Sequence, residues 1–162
     1  MKKTIPVSIA IIFFTVGMIS CASSPVPQES KSEIVEVPGK SADNLFALAN
    51  SWLIDTMNNA KSVIQFSDKS EGIIKGKYAD NYQSITGTDY YAQTIITIQV
   101  KEGRARIQLD PDALWAIDPH GRKYDNYSTM ADTSRIASNR DKLIASFKLA
   151  MTATGEGNNN DW

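Results

Sequence analysis

The sequence predicts an α+β domain of two layers, in which two helices cover one face of an antiparallel sheet of about five strands. Two stretches, one near position 50 and one near position 145, repeat apolar residues at helical spacing. Several segments between them alternate apolar and polar residues, as strands with one buried face do. Neither helix can bury its apolar stripe alone, so we expect both helices to pack on the same face of the sheet.

The composition is that of an ordinary globular chain with one domain. The 162 residues are 42% hydrophobic and 22% charged, with a formal net charge of −1. Without Lys2 and Lys3, 15 basic residues remain against 18 acidic residues. This acidic balance argues against a general nucleic-acid-binding protein, so no nucleic-acid partner is expected.

Residues 1–20 have the pattern of a secretory signal peptide. Lys2 and Lys3 precede an uncharged run from Ile5 to Ile19, which ends next to small residues. The run is shorter than the ~20 residues that a membrane-spanning helix needs. We therefore expect a cleaved leader, with an uncleaved anchor as the alternative.

Cys21, the single cysteine, follows this leader directly. The run Met18-Ile19-Ser20-Cys21 resembles the lipobox of bacterial lipoproteins, which implies that Cys21 carries a diacylglyceryl group and a third acyl chain. The alternative is a free or disulfide-linked cysteine, but a lone cysteine has no partner within the chain. Two or three acyl chains anchor a protein stably, so the resemblance implies that the protein is bound to a membrane through its lipid anchor. Ala22 and the following residues lack the acidic signals of inner-membrane retention and surface export, which favours the periplasmic face of the outer membrane.

The domain is expected to span residues 33–153, after a Ser- and Pro-rich tether over residues 21–32. Ile34 to Val37 predicts a short strand. Lys40 to Ala79 predicts a helix capped by Ser41, followed by a strand, a turn and a second strand.

The middle of the chain predicts a hairpin. Asp80 to Asp89 lacks periodicity and is expected to be a loop. Tyr90 to Lys101 alternates most clearly, and Arg104 to Asp110 is expected to pair with it. Pro111 is expected to break that strand, and Leu114 to Ile117 to form a short further one.

The last element is predicted to be a helix, followed by a disordered tail over residues 154–162. The helix has a buried stripe whose members recur at three and four: Ile136, Arg140, Leu143, Ile144, Phe147, Ala150 and Met151.

Three pieces together resemble a family of bacterial envelope proteins known as a domain of unknown function with a TATA-binding-protein-like fold. They are VPGKSADNLFALANSWL, SVIQFSDKSEGIIKGK and the closing helix. The similarity covers about Ile34 to Met151 and departs over Pro111 to Ser134. It implies the TATA-binding-protein-like fold but supplies no activity and no site residues, and DNA binding does not follow from the fold.

Catalytic, cofactor and metal sites are not expected. His120 is the single histidine, and Asp110, Asp112 and Asp118 lie close to it in sequence. These four residues suit a divalent cation, but turns at Asp-Pro-Asp and Asp-Pro-His-Gly explain them as well. No nucleophile motif accompanies them, so an enzyme is the least favoured class of function.

The residues singled out for binding lie on the sheet face that the helices are expected to leave open. Ile73, Tyr91 and Ile95 should point there, with Trp115 and Tyr124 beside them, and such a patch suits an envelope protein or peptide partner. The competing interpretation is that the loop over residues 80–89, or the segment before the last helix, covers them. The leading hypothesis is a non-enzymatic binding module; the alternative is a carrier of an apolar ligand or lipid, with its cavity between the closing helix and the sheet.

Overall fold

The computed structural model of the chain describes residues 29–57, 63–125 and 130–153. The predicted signal peptide, Cys21, most of the predicted tether and the predicted tail lie outside these residues. The first strand begins at Lys31, two residues before the predicted start of the domain. In chain order the elements are β1 (Lys31–Glu36), α1 (Ala42–Thr56), β2 (Val63–Asp68), β3 (Ile73–Gln83), β4 (Asp89–Lys101), β5 (Arg104–Ile117), β6 (Lys123–Asp125) and α2 (Met130–Thr152).

The strands form one antiparallel sheet in the order β1-β5-β4-β3-β2. β6 also pairs with β5, beyond the stretch of β5 that pairs with β1. β4 runs along one side of β5, so β1 and β6 share the other side. The predicted class, an antiparallel sheet of about five strands with two helices, is confirmed.

Both helices pack on one face of the sheet, here called the covered face. The indole ring of Trp52 on α1 meets the ring of Phe147 on α2 edge to face, with centroids 5.2 Å apart. Its Nε1 donates to Ser146 Oγ at 3.1 Å, which satisfies the polar atom of a buried ring. The largest side chains that are fully buried in this layer are Leu45, Leu53, Ile74, Ile96, Ile98, Ile107, Leu109, Phe147 and Met151.

Ser41 is the N-cap of α1, as the sequence predicts. Its side-chain oxygen accepts a hydrogen bond from the Asn44 N–H at 3.2 Å, which satisfies one free donor of the first turn. Asp43 places a negative charge at the same helix end.

Arg140 is a buried cation on the covered face and is only 4% exposed. Its Nε and Nη2 each lie 3.4 Å from Thr94 Oγ1, and its Nη1 donates to the Glu29 carbonyl at 3.3 Å. Burial lowers the pKa of Arg140, and the charge of Asp110 opposes that shift. The guanidinium therefore joins α2 to the centre of the sheet and to the residues that precede β1.

The loop predicted over residues 80–89 is wrong for half of that segment, which is strand. β3 continues to Gln83 and β4 begins at Asp89, which leaves a tight turn in which Ser84 N donates to the Thr88 carbonyl at 2.8 Å. The rings of Tyr82 and Tyr90 stack across the two strands with centroids 5.0 Å apart. Cross-strand aromatic pairing holds together a hairpin end that has few apolar residues to reveal it in the sequence.

The strand break predicted at Pro111 is also wrong. β5 runs from Arg104 to Ile117, and its register with β4 shifts between Gln93 and Thr94, which leaves Asp112 as an extra residue. Proline is tolerated at such a bulge. The extra residue reverses the alternation of side chains, so Trp115 points away from the helices although Ala105, Ile107 and Leu109 point towards them.

Candidate functional site

The face of the sheet opposite the helices, here called the open face, holds four of the five predicted binding residues. Residues that pair across neighbouring strands share a face. Ile73 pairs with Gln99 and Ile95 with Lys77, while Tyr91 pairs with Trp115. These registers place Ile73, Tyr91, Ile95 and Trp115 on the open face.

Tyr91 and Trp115 form a compact cluster, here called the aromatic end, together with Lys123. The two rings are stacked with centroids 5.1 Å apart, and Lys123 Nζ lies 5.6 Å from the centroid of the Trp115 ring. Lys123 also pairs with Asp125 at 2.7 Å. Tyr91 is only 9% exposed, so its ring supports Trp115 and presents little surface to a partner.

Ile95 and Ile73 are half-buried and lie apart from this cluster. Ile95 is four residues from Tyr91 along β4, or about 13 Å at the usual rise of a strand. Ile73 lies opposite Gln99, which is four residues further along the same strand. The predicted residues are therefore spread along the open face and do not form one continuous patch.

Tyr124 lies on the other face of the sheet, so the prediction that it borders the patch is wrong. It pairs with Ala116, which in turn pairs with Tyr90, and these three residues line a shallow depression of about 170 Å³. The Tyr124 hydroxyl donates to Asp118 Oδ2 at 3.3 Å. The bulge in β5 decides this placement, because it determines which face each later residue of the strand occupies.

A second depression, about 270 Å³ in volume, lies at the opposite end of the open face from the aromatic end. It is lined by Ile34, Gln99, Lys101, Arg104, Ala105 and Arg106. We call these residues, without the fully buried Ala105, the cationic end. Ile34, at the edge of the sheet on β1, is 56% exposed. Lys101 and Arg104 pair across β4 and β5, which places two cations side by side.

Arg106 is held in a defined orientation. Its Nε donates to Ser32 Oγ at 3.1 Å and its Nη2 donates to Gln108 Oε1 at 2.9 Å, while the Gln108 amide donates to Asp110 at 3.0 Å. Both atoms that accept from Arg106 are neutral. Within the part of the chain that the structure describes, no ion pair involves Lys101, Arg104 or Arg106.

Only part of the cationic end could be predicted from the sequence. The alternation of Arg104 and Arg106 along a strand predicts that they share a solvated face, which is where they lie. Ile34 was assigned to a strand, but the sequence does not reveal that this strand pairs with β5 beside Arg106. Two other basic residues on nearby segments are engaged in ion pairs, since Lys77 pairs with Asp112 at 2.8 Å and Lys69 with Asp43 at 3.0 Å.

The acidic residues considered for a metal site have partners of their own. Asp118 accepts hydrogen bonds from the backbone N–H groups of His120 and Arg122, each at 2.9 Å, and from Arg122 Nε at 2.7 Å. Desolvation raises the pKa of Asp118, but these hydrogen bonds and the Arg122 charge outweigh it and lower the pKa to about 2. In the described ranges, no group of three His, Cys, Asp or Glu residues is placed to hold a metal ion.

The helices that the structure describes include none with the length and apolar character needed to cross a membrane.

The sheet order, its antiparallel pairing and the two helices on one face define a TATA-binding-protein-like (TBP-like) α+β domain. Residues 32–111 match the model of a family described as a domain of unknown function (DUF4468) with TBP-like fold. Over these residues the chain belongs to that family, as the resemblance in the sequence indicated. The match ends at Pro111, where the sequence departs from the family pattern.

Two solved structures show the same fold. The chain is similar to a DUF4468 family protein from Bacteroides ovatus, with a TM-score of 0.60 and 17% identity over 77% of this chain and 86% of that one. It is also similar to a TBP-like protein from Parabacteroides distasonis, with a TM-score of 0.59 and 16% identity over 81% and 99% of the two chains. Identities this low establish the fold and no function. A comparison with curated proteins found no match.

Proposed function

We propose that this protein is a non-enzymatic binding module of the cell envelope, anchored to the outer membrane through Cys21, which holds a protein or peptide partner on its open face. The observation that carries this proposal is the exposure of large apolar side chains on a sheet face over which neither of the described helices lies. Ile34 is 56% exposed and Phe66 is 48% exposed, and both lie among polar and charged neighbours. Apolar anchors within a polar surround are typical of interfaces between proteins.

The packing behind the sheet supports this proposal. Every second residue of β4 from Ala92 to Val100 is buried against the helix layer, so the strands are held from behind. A surface held in this way loses little conformational entropy when a partner binds. The aromatic end adds to this rigidity through the stacked rings of Tyr91 and Trp115.

The carrier hypothesis gains no support from the packing. It places an apolar cavity between α2 and the sheet, where the side chains of Phe147, Ile107 and Leu109 are fully buried. A ligand there would have to displace packed core side chains, which costs several kcal/mol for each one that is displaced. The open face needs no such rearrangement.

Site-specific photo-crosslinking in intact cells tests the binding role. A photoreactive residue at Ile34 should give a discrete crosslinked product. The matched control is Ile54 on α1, since the two isoleucines are 56% and 55% exposed but lie in opposite layers of the domain. Equal products from both positions, or a product from Ile54 alone, would contradict use of the open face.

Anchoring is tested separately with Cys21→Ser. We expect the substituted protein to leave the membrane fraction and to lose incorporation of labelled palmitate, because Cys21 is the single acceptor thiol. Ser23→Ala is the control and should change neither property. Retention of Cys21→Ser in the membrane fraction at the level of the unsubstituted chain would contradict the proposed lipid anchor.

A further inference from the structure

We infer that the segment of the partner in contact with this protein is an acidic, extended peptide whose alternate carboxylates lie on the cationic end. This inference rests on the proposed function and names the chemistry of the partner. Three features of the cationic end carry it: its unbalanced charge, the spacing of its cations and the orientation of Arg106.

The charge of the cationic end differs from that of the whole chain. The chain has a formal net charge of −1, yet Lys101, Arg104 and Arg106 gather around one depression. None of the three takes part in an ion pair within the described residues. Glu36 lies opposite Arg104 in the register of β1 and β5 and is the acidic residue nearest in that register. Three cations facing one carboxylate keep an excess of positive charge on an acidic protein, and such a cluster is complementary to an anionic ligand.

The spacing of the cations matches an extended peptide. Arg104 and Arg106 are two residues apart on β5 and project from the same face, so they are about 7 Å apart along the strand. Alternate side chains of an extended peptide repeat at the same distance. A segment with acidic residues at every second position would therefore place one carboxylate over each arginine, with Lys101 beside the first.

The orientation of Arg106 suits a carboxylate. Ser32 and Gln108 hold the guanidinium through Nε and Nη2, so its position is set before a ligand arrives. Because both of these acceptors are neutral, the charge of Arg106 remains available to an anion. An oriented guanidinium recognises a planar carboxylate better than a flexible lysine does.

Ile34 favours a peptide over an anion that is recognised by charge alone. Its side chain is 56% exposed and lies beside Arg106 across the β1–β5 pair. An apolar side chain of the partner gains contact area there, next to the ionic contacts, whereas a polyphosphate or a lipid headgroup has no group to place on it.

The test uses the purified full chain and two fluorescent peptides of one composition, Glu-Thr-Glu-Thr-Glu-Leu and Glu-Glu-Thr-Thr-Glu-Leu, of which the second has no two glutamates spaced two residues apart. Fluorescence anisotropy at low salt should show the alternating peptide binding about fivefold more tightly or better. Arg104→Glu should weaken its binding by about tenfold or more. Lys142→Glu makes the same change of charge on an exposed residue of α2 and should leave binding unchanged.

Arg106→Lys separates oriented recognition from simple charge. It keeps the positive charge and loses the planar fork, so we expect weaker binding of the alternating peptide and little effect on its isomer. Thermal unfolding of each variant should match that of the unsubstituted chain, which shows that the fold is intact.

Three results would overturn the inference. Equal binding of the two peptides, or tighter binding of inorganic polyphosphate or of phosphatidylglycerol vesicles, would assign the cationic end to anions in general. Unchanged binding by Arg104→Glu would show that the peptide binds elsewhere on the protein. If neither peptide binds while crosslinking from Ile34 persists, the inference of an acidic partner is wrong but the proposed binding role stands. If no crosslink forms from Ile34, the proposed binding role itself is contradicted.

Discussion

The two faces of the sheet are built from the same strands but carry different kinds of side chain. On β4, Ile96, Ile98 and Val100 are buried against the helices. On the other face of the same strand, Ile95 is half-buried and Gln99 is exposed. The covered face supplies the apolar burial that holds the domain together. The open face contributes less to stability, so its residues are free to serve recognition.

The largest expected difference between the faces comes from one substitution made twice on β4. Ile98→Ala should lower the free energy of unfolding by about 2–5 kcal/mol, because it leaves a cavity beneath the helices. Ile95→Ala, on the open face, should cost about 1 kcal/mol or less. Urea denaturation of both variants measures the difference, and equal losses would show that a layer of the protein covers both faces.

The removal of a hydroxyl group tests the same difference between the two faces of the sheet. Thr94→Val removes a hydroxyl acceptor that lies 3.4 Å from two nitrogens of the buried Arg140. The guanidinium then loses a partner where water does not replace it, so we expect a loss of about 1–3 kcal/mol.

The control for Thr94→Val is Thr97→Val, on the same strand and the open face, which should stay within about 0.5 kcal/mol of the unsubstituted chain. Chemical denaturation reports both values. A larger loss from Thr97→Val would mean that the open face is more tightly structured than the covered one.

The smallest effect concerns a turn that belongs to neither face. The folded-state pKa of Asp118 is lowered to about 2 from an ordinary 3.8, so its stabilising contribution is present above pH 4 and is lost as the pH falls towards 2. Asp118→Asn should therefore make the free energy of unfolding depend less on pH in the acid range. At neutral pH the substitution should shift that free energy only by a constant amount. Thermal unfolding between pH 2 and pH 7 tests this; parallel profiles would contradict the assignment.

Periodicity alone predicted which residues of β4 lie on which face. A strand has a side-chain period of two, so the alternation of Ala92 to Val100 was sufficient to identify the covered face. The prediction failed for Tyr124, because the extra residue at Asp112 reverses the alternation along β5 and no local pattern reveals a bulge. The end of β3 near Tyr82 was missed because aromatic stacking on Tyr90, and not an apolar pattern, holds it in place.

The candidate site was predictable only where it depends on one strand. Arg104 and Arg106 alternate along β5, and this places both on the open face. Their proximity to Ile34 depends on pairing between β1 and β5, which are far apart in the sequence. Local propensity carries no information about such a pairing, so the depression they share emerges only from the structure.

The pairing of β1 with β5 also sets an order of events during synthesis. Lys31 pairs with Leu109 and Glu36 with Arg104, so the earliest strand to leave the ribosome finds its neighbour only when most of the chain has followed. The hairpins β2–β3, β3–β4 and β4–β5 involve nearby residues and can form before β1 is paired. A chain truncated before residue 104 should accordingly expose its first strand to proteases, while one that extends beyond residue 109 can protect it.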